Sequence, residues 1–296
     1  MVESVRELGK FLSRVVPLDP ELRVRQLYGL APVDLEFAAR STTYMNYGYW
    51  EDGCADIDEA GEAMARLLGD AAGITRGDTV LDVGFGHGDQ DFLWLRERDP
   101  ARVLGLNITP SHVASARARA EADGVADRLD FREGSATEVP FPDGMFDRVV
   151  ALECAFHFRP RTAFLAESFR VLRPGGTLAV LDVLPVEKDI PQSALRSPYF
   201  SWVNTTIDAA NWHDGDEYRD RLAEAGYTDI SLESIRDRVY QPYRDHMVNR
   251  LSDPGFVAEL TPEQHEILVK SWSWQQQLDE DLAKLDYVLV VARKPG

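Results

Sequence analysis

Two stretches of this chain hold groups capable of chemistry. In Val80-Leu81-Asp82-Val83-Gly84-Phe85-Gly86-His87-Gly88-Asp89-Gln90 an apolar run ends in three alternate glycines and opens into a helix-like segment, Asp91 to Arg98. A strand that turns sharply into a helix needs glycine where φ is positive or where a ligand must approach the backbone. The loop therefore predicts a nucleotide-binding turn, with the ligand over backbone N–H groups and a helix N-terminus. In Glu153-Cys154-Ala155-Phe156-His157-Phe158, at the end of another apolar run, a carboxylate and an imidazole stand four residues apart. Either can take up a proton, and histidine titrates near neutrality.

Alternating elements must position these groups. Strand-like runs fall at Thr79–Phe85, Arg102–Ile108, Leu129–Glu133, Asp147–Glu153 and Thr177–Leu184, with helical patterns at Asp89–Arg98, Pro110–Asp123 and Thr162–Leu172. Thr109-Pro110 reads as an N-cap followed by proline at the first helical position. Arg173-Pro174-Gly175-Gly176 stops one helix and turns into the next strand. Such β-α alternation predicts an α/β fold, a parallel sheet covered on both faces. Beyond Pro185 the rhythm changes. Asp214–Ala225 resumes a helix, Ile230–Val239 and Asp286–Lys294 read as the last strands, and Glu263–Leu285 is helical in pattern. The division expected is a cover segment at 1–57, a nucleotide-binding core at 58–185, a lid from 186–213 and 240–285, and the rest of the core sheet at 214–239 and 286–296.

Composition narrows the partners. The 296 residues carry 50 acidic and 32 basic side chains, a formal charge of −18. Such a surface repels phosphate backbones and anionic membranes, so a nucleic-acid or membrane partner is not expected. No apolar run approaches the ~20 residues of a membrane span. Cys54 and Cys154 offer neither metal spacing nor a disulfide framework, and the six histidines form no H-x-x-x-H pair. A cytoplasmic protein without a metal is the expectation. Homo-oligomerisation is left open, and Trp272 and Trp274, two apart in a helical stretch, suit packing or a subunit contact.

Two nucleotides compete for the glycine loop. A dinucleotide dehydrogenase wants G-x-G-x-x-G, whereas these glycines run G-x-G-x-G with Asp89 after Gly88. Downstream stand Glu133-Gly134-Ser135-Ala136, Pro140-Phe141-Pro142-Asp143-Gly144, Phe146-Asp147-Arg148-Val149-Val150 and Leu172-Arg173-Pro174-Gly175-Gly176. In the order and spacing of these motifs the chain resembles the class I S-adenosylmethionine-dependent methyltransferases. Nearer resemblance is to natural-product enzymes, especially the erythromycin-type macrolide sugar O-methyltransferases. It is carried by Gln90-Asp91-Phe92, Thr109-Pro110-Ser111-His112-Val113, His157 and Asn211-Trp212, and it covers roughly everything after Met45.

The resemblance implies a Rossmann-like seven-stranded sheet, mostly parallel with its last strand antiparallel, plus a helical lid. It implies S-adenosyl-L-methionine as cofactor, held by Asp82, Gly84, Gly86, Gly88, Gln90, Asn107, Ile108, Ser135, Ala136 and Glu153, with Tyr47 and Trp50 covering it. Asn107 stands where a carboxylate normally grips the ribose hydroxyls; its amide can accept from one and donate to the other. A base is implied at the end of the fourth strand, with His157 first and Glu153 second. Phe156, Phe158, Tyr199, Phe200, Trp202 and Trp212 suggest an apolar acceptor pocket. The expected reaction is methyl transfer to a hydroxyl of a hydrophobic natural product, a polyketide or its sugar. C-methylation of an isoprenoid or quinone-like carbon and N-methylation are the alternatives.

Overall fold

The computed structural model describes residues 39–187, 209–262 and 275–296, together with 22, 24, 25, 28, 207, 265, 266, 268 and 269. Its centre is a seven-stranded sheet of order β3-β2-β1-β4-β5-β7-β6. The strands are β1 (Thr79–Val83), β2 (Arg102–Asn107), β3 (Leu129–Glu133), β4 (Phe146–Leu152), β5 (Leu172–Pro185), β6 (Thr228–Ser234) and β7 (Leu285–Arg293). Six run parallel, and β7 is inserted antiparallel between β5 and β6. The Rossmann-like architecture expected from the sequence is the one found.

Val80, Leu81, Val83, Leu104, Val149, Val150, Val180 and Leu181 are all within 1 % of full burial because helices cover both faces of the sheet. Helix α1 (Ile57–Ala72) precedes the sheet, and α2 (Asp89–Arg98), α3 (Pro110–Ala122), α4 (Arg161–Val171) and α5 (Gly215–Glu224) connect its strands. The first is delimited by its ends: Asp56 accepts the Glu59 N–H, and Gly73 closes the last turn at φ +66. At the open edge, β6 is largely exposed and polar, as an unpaired edge should be.

Strand order fixes where the chemistry can sit. From β1 the chain steps outward to β2 and β3, then returns to place β4 on the other side of β1, with Val80 to Asp82 paired to Arg148 to Val150. The crevice beyond the carboxyl ends of β1 and β4 is thus a topological switch point, where open α/β sheets bind ligands. Both chemically suggestive loops leave the sheet there.

Two details differ from the sequence reading. Pairing of β5 begins at Leu172, opposite Phe146, and resumes with Thr177 opposite Arg148. Residues 173–176 therefore bulge out of the strand, with Gly175 at φ +77, instead of preceding it. Strand β6 stops at Ser234, not Val239. Ile235 and Val239, both buried and four apart, have helical spacing, and they flank a 3-10 turn (Arg236–Arg238) that runs into α6 (Tyr240–Leu251). A short α7 (Pro254–Glu259) and α8 (Gln275–Leu282) complete the described helices between β6 and β7. No helix among the described residues is long and apolar enough to cross a membrane.

Candidate active site

The cavity at the switch point is walled by the glycine loop after β1, the ends of β2 and β4, and residues before α1. Gly84 and Gly86 line it at φ +80 and +57. A Cβ on Gly84 would lie 2.5 Å from Cys154 Sγ, and one on Gly86 would lie 3.2 Å from Met45 Cε. Gly84 thus needs glycine sterically as well as conformationally, whereas at Gly86 the positive φ is the main demand because the Met45 terminus can yield. Gly88 does something else. It caps α2 at φ +86, packs against Phe131, and does not line the cavity.

Asp82 lies under the loop, fully buried, and accepts from Gln90 Nε2 at 2.8 Å; the same amide donates to the Phe85 carbonyl at 2.9 Å. Gln90 thereby ties the loop to its strand while also lining the cavity. Burial pushes the Asp82 carboxyl up to about 7 and raises its buried neighbour Asp91 as well. At the end of β2, Asn107 and Ile108 line the cavity together with Gly134 and Ala136, and the Gly134 N–H donates to the Asn107 carbonyl at 3.0 Å. The Asn107 side chain donates to the Gly86 carbonyl at 3.3 Å and accepts the Thr109 N–H at 3.1 Å. Ser135 turns toward Thr137 and is not part of the lining.

Glu153 and His157 are brought to one wall. Glu153 sits just past β4 at φ +51; its Oε2 accepts the Tyr287 hydroxyl at 2.7 Å and the Tyr47 N–H at 3.1 Å. Burial, only partly offset by these bonds, raises its carboxyl to about 8. His157 ends a one-turn 3-10 helix (Ala155–His157), and the Tyr28 hydroxyl lies 2.8 Å from its Nε2. Burial holds the Tyr28 phenol well above its ordinary value, so it stays neutral.

Several expected contacts lie elsewhere. Trp50 is buried among Ile57, Tyr243, Met247 and Phe256, and the Tyr47 ring meets Tyr240 and Tyr243 edge-on. Both pack between α6 and α1 instead of lining the cavity, which takes Thr43 to Asn46 from the same segment. Two carboxylates pin that segment: Asp58 accepts the N–H groups of Arg40, Ser41 and Thr42, and Asp89 accepts the Thr43 N–H and hydroxyl. Phe158 lines the cavity, whereas Phe156 and Trp212 pack in the adjoining core. Tyr199, Phe200 and Trp202, like Trp272 and Trp274, lie outside the described residues.

Sequence reasoning passed over Tyr28, Cys154 and a pair of histidines. His87 and His112 meet with ring centroids 4.2 Å apart at the cavity wall, and burial lowers His112 to about 4, so it is neutral. Their separation by 25 positions gave no spacing signal; the turn into α3 brings them together.

Comparison with known proteins fits this geometry. Residues 81–180 match the family described as a methyltransferase domain. Over 281 residues, 94% of this chain and 92% of the relative, the sequence is 42% identical to erythromycin 3''-O-methyltransferase of Saccharopolyspora erythraea. It is 32% identical to 27-O-demethylrifamycin SV methyltransferase of Amycolatopsis mediterranei over 191 residues, 64% of this chain and 69% of that one. The [4+2]-cyclase SpnF superposes with a TM-score of 0.71 at 20% identity, covering 93% of this chain and 96% of that chain, a likeness of fold alone. The chain belongs to the class I S-adenosylmethionine-dependent methyltransferases. It is an enzyme of that family, with S-adenosyl-L-methionine as its methyl donor. The cavity fits that group: its wall at Gly84 and Gly86 is bare backbone where any side chain would intrude, and Asn107 offers both a donor and an acceptor at the end of β2.

Proposed function

We propose that this enzyme methylates a hydroxyl of a hydrophobic natural product, a polyketide or a sugar attached to one, with His157 as general base. The observation that carries this reading is Tyr28 Oη at 2.8 Å from His157 Nε2, inside the cavity. An alcohol-type oxygen thus already fits in hydrogen-bond contact with the imidazole, the geometry a base requires of its substrate. The 42% identity to erythromycin 3''-O-methyltransferase supports a hydroxyl acceptor.

The cofactor, when bound, supplies a sulfonium-activated methyl carbon that needs no further activation. Gly84, Gly86, Gln90, Asn107, Ile108 and Ala136 would hold it. The remaining work falls to the chain: excluding water, orienting the acceptor oxygen and removing its proton. Met45, Cys154, Phe158 and the Tyr28 ring supply apolar walls. Nε2 of His157 would take the proton from the acceptor hydroxyl. Glu153 suits this step less, because its carboxyl is protonated at neutral pH and is engaged by Tyr287 and Tyr47. Its part is to hold the cover segment against β4. We assign the acceptor side to the N-terminal segment and the 186–213 and 240–285 lid.

His157→Ala should lower single-turnover methyl transfer to a macrolide bearing a free sugar hydroxyl by ~10²-fold or more. Calorimetric affinity for S-adenosylhomocysteine should stay within about twofold, since no base is needed for binding. Undiminished transfer would remove His157 from the role.

A further inference from the structure

Asn211 lies outside the cavity, 1 % exposed, yet it grips the backbone on both sides of His157. Its Nδ2 donates to the Phe156 carbonyl at 3.0 Å and to the Phe158 carbonyl at 2.5 Å. Its Oδ1 accepts the Arg161 N–H at 2.8 Å, at the start of α4, and its own carbonyl accepts Arg161 Nη1 at 3.0 Å. Arg161 is in turn ion-paired at 3.1 Å with Asp182, wholly buried in β5, and the Tyr218 hydroxyl of α5 donates to the same Asp182 oxygen at 3.1 Å. A continuous chain of polar contacts thus runs from the sheet interior to the turn that carries the imidazole.

We propose that Asn211 is a positioning residue for methyl transfer, holding the 3-10 turn so that His157 faces the cavity; this rests on His157 being the base. The turn has little rigidity of its own. Its internal bonds are His157 N–H to the Cys154 carbonyl at 3.0 Å and Phe158 N–H to the Ala155 carbonyl at 3.1 Å, in the poorer geometry of a 3-10 helix. The carbonyls of Phe156 and Phe158 point away from that pattern, and only a side chain with two donors on one atom can bridge them. An amide meets the need; a carboxylate would set oxygen against oxygen, and a hydroxyl could serve one carbonyl only. Misplacing a reacting group by about 1 Å can cost ~10²-fold in rate, so a loosened turn should register in turnover before it registers in binding.

The test combines Asn211→Ala and Asn211→Ser with His157→Ala and the double variant. Asn211→Ala should lower the single-turnover rate by ~10- to 100-fold and Asn211→Ser by less, with S-adenosylhomocysteine affinity within about twofold in both. In the His157→Ala background, adding Asn211→Ala should lower the rate by less than about twofold, because a residue acting through the imidazole has nothing left to position. Without substrate, NMR of ring-labelled histidine, assigned with His157→Gln, should show the His157 signals moved in both Asn211 variants and those of His112 unmoved. Unmoved His157 signals, an equal loss in the His157→Ala background, or failure of both Asn211 variants to fold would overturn the proposal. Full turnover by His157→Ala would instead end the base assignment itself.

Discussion

Tyr287 of β7 donates its hydroxyl to Glu153 Oε2 at 2.7 Å, joining the antiparallel strand to the loop after β4 across the intervening β5. This bond and that from Tyr47 N–H favour the ionised carboxylate, yet burial outweighs them and leaves the group near 8. The enzyme keeps a neutral acid beside its candidate base.

That balance sets a pH dependence. An unfolded Glu153 loses its proton near 4.5, while the folded group holds it to about 8. Between those values unfolding releases a proton, so the stability linked to this group is complete below the lower value and is lost as pH rises toward the upper one. Glu153→Gln, neutral throughout, should match the wild type in Tm near pH 4.5 in the ligand-free protein. It should exceed the wild type by a few degrees at pH 8.5. A Tm difference that does not change with pH would contradict the burial account.

Tyr28 and an acceptor hydroxyl cannot both bond the single lone pair of His157 Nε2. Tyr28→Phe should therefore lower the acceptor KM by about 2- to 10-fold, the worth of one competing hydrogen bond, and leave kcat within about threefold. A tenfold fall in kcat would mean that the phenol passes the proton instead of yielding its place.

The glycines of the loop separate into two kinds. Gly84→Ala forces a Cβ to 2.5 Å from Cys154 Sγ at a left-handed φ in the cavity wall, so S-adenosylhomocysteine binding should be lost even where the fold survives. Gly88→Ala strains a helix cap against Phe131, outside the cavity, and should cost roughly 1–2 kcal/mol of stability with ligand affinity near that of the wild type. Chemical denaturation and calorimetry on both variants distinguish the two; equal effects on binding would refute the distinction.

Asn107 is not simply a weaker aspartate. Its amide donates to the Gly86 carbonyl, so Asn107→Asp would place carboxylate oxygen against carbonyl oxygen at the turn. Affinity for S-adenosylhomocysteine should fall by about tenfold, the cost of one lost and one repulsive contact. Tighter binding on calorimetry would show that the donor is dispensable.

The sheet was legible because its strands are apolar runs bounded by glycine, proline and capping residues, and five of the seven begin within a residue of where the pattern places them. The lid was less so. Helix α6 buries Tyr240, Tyr243, Met247 and Arg250, which do keep helical spacing, but Pro242 in its first turn and an arginine at a buried position hide that stripe from an apolar pattern. In the site, His157, Glu153, Gly84 and Gly86 could be found because each follows a strand end. Tyr47 and Trp50 pack against α6 because aromatics serve packing as readily as ligand contact; the residues that line the cavity from this segment are set by Asp58 and Asp89, whose backbone captures have no sequence signature. Tyr28 meets His157 across 129 positions, a separation no local pattern reports.

The ladder from Val80–Arg148 to Asp82–Val150 has a practical consequence. The glycine loop and the proposed base hang from adjacent rails of one rigid frame, while the proposed acceptor-binding segments are attached elsewhere. If that proposed division of labour holds, exchanging those segments between homologues should change which acceptor is modified and leave methyl transfer itself intact.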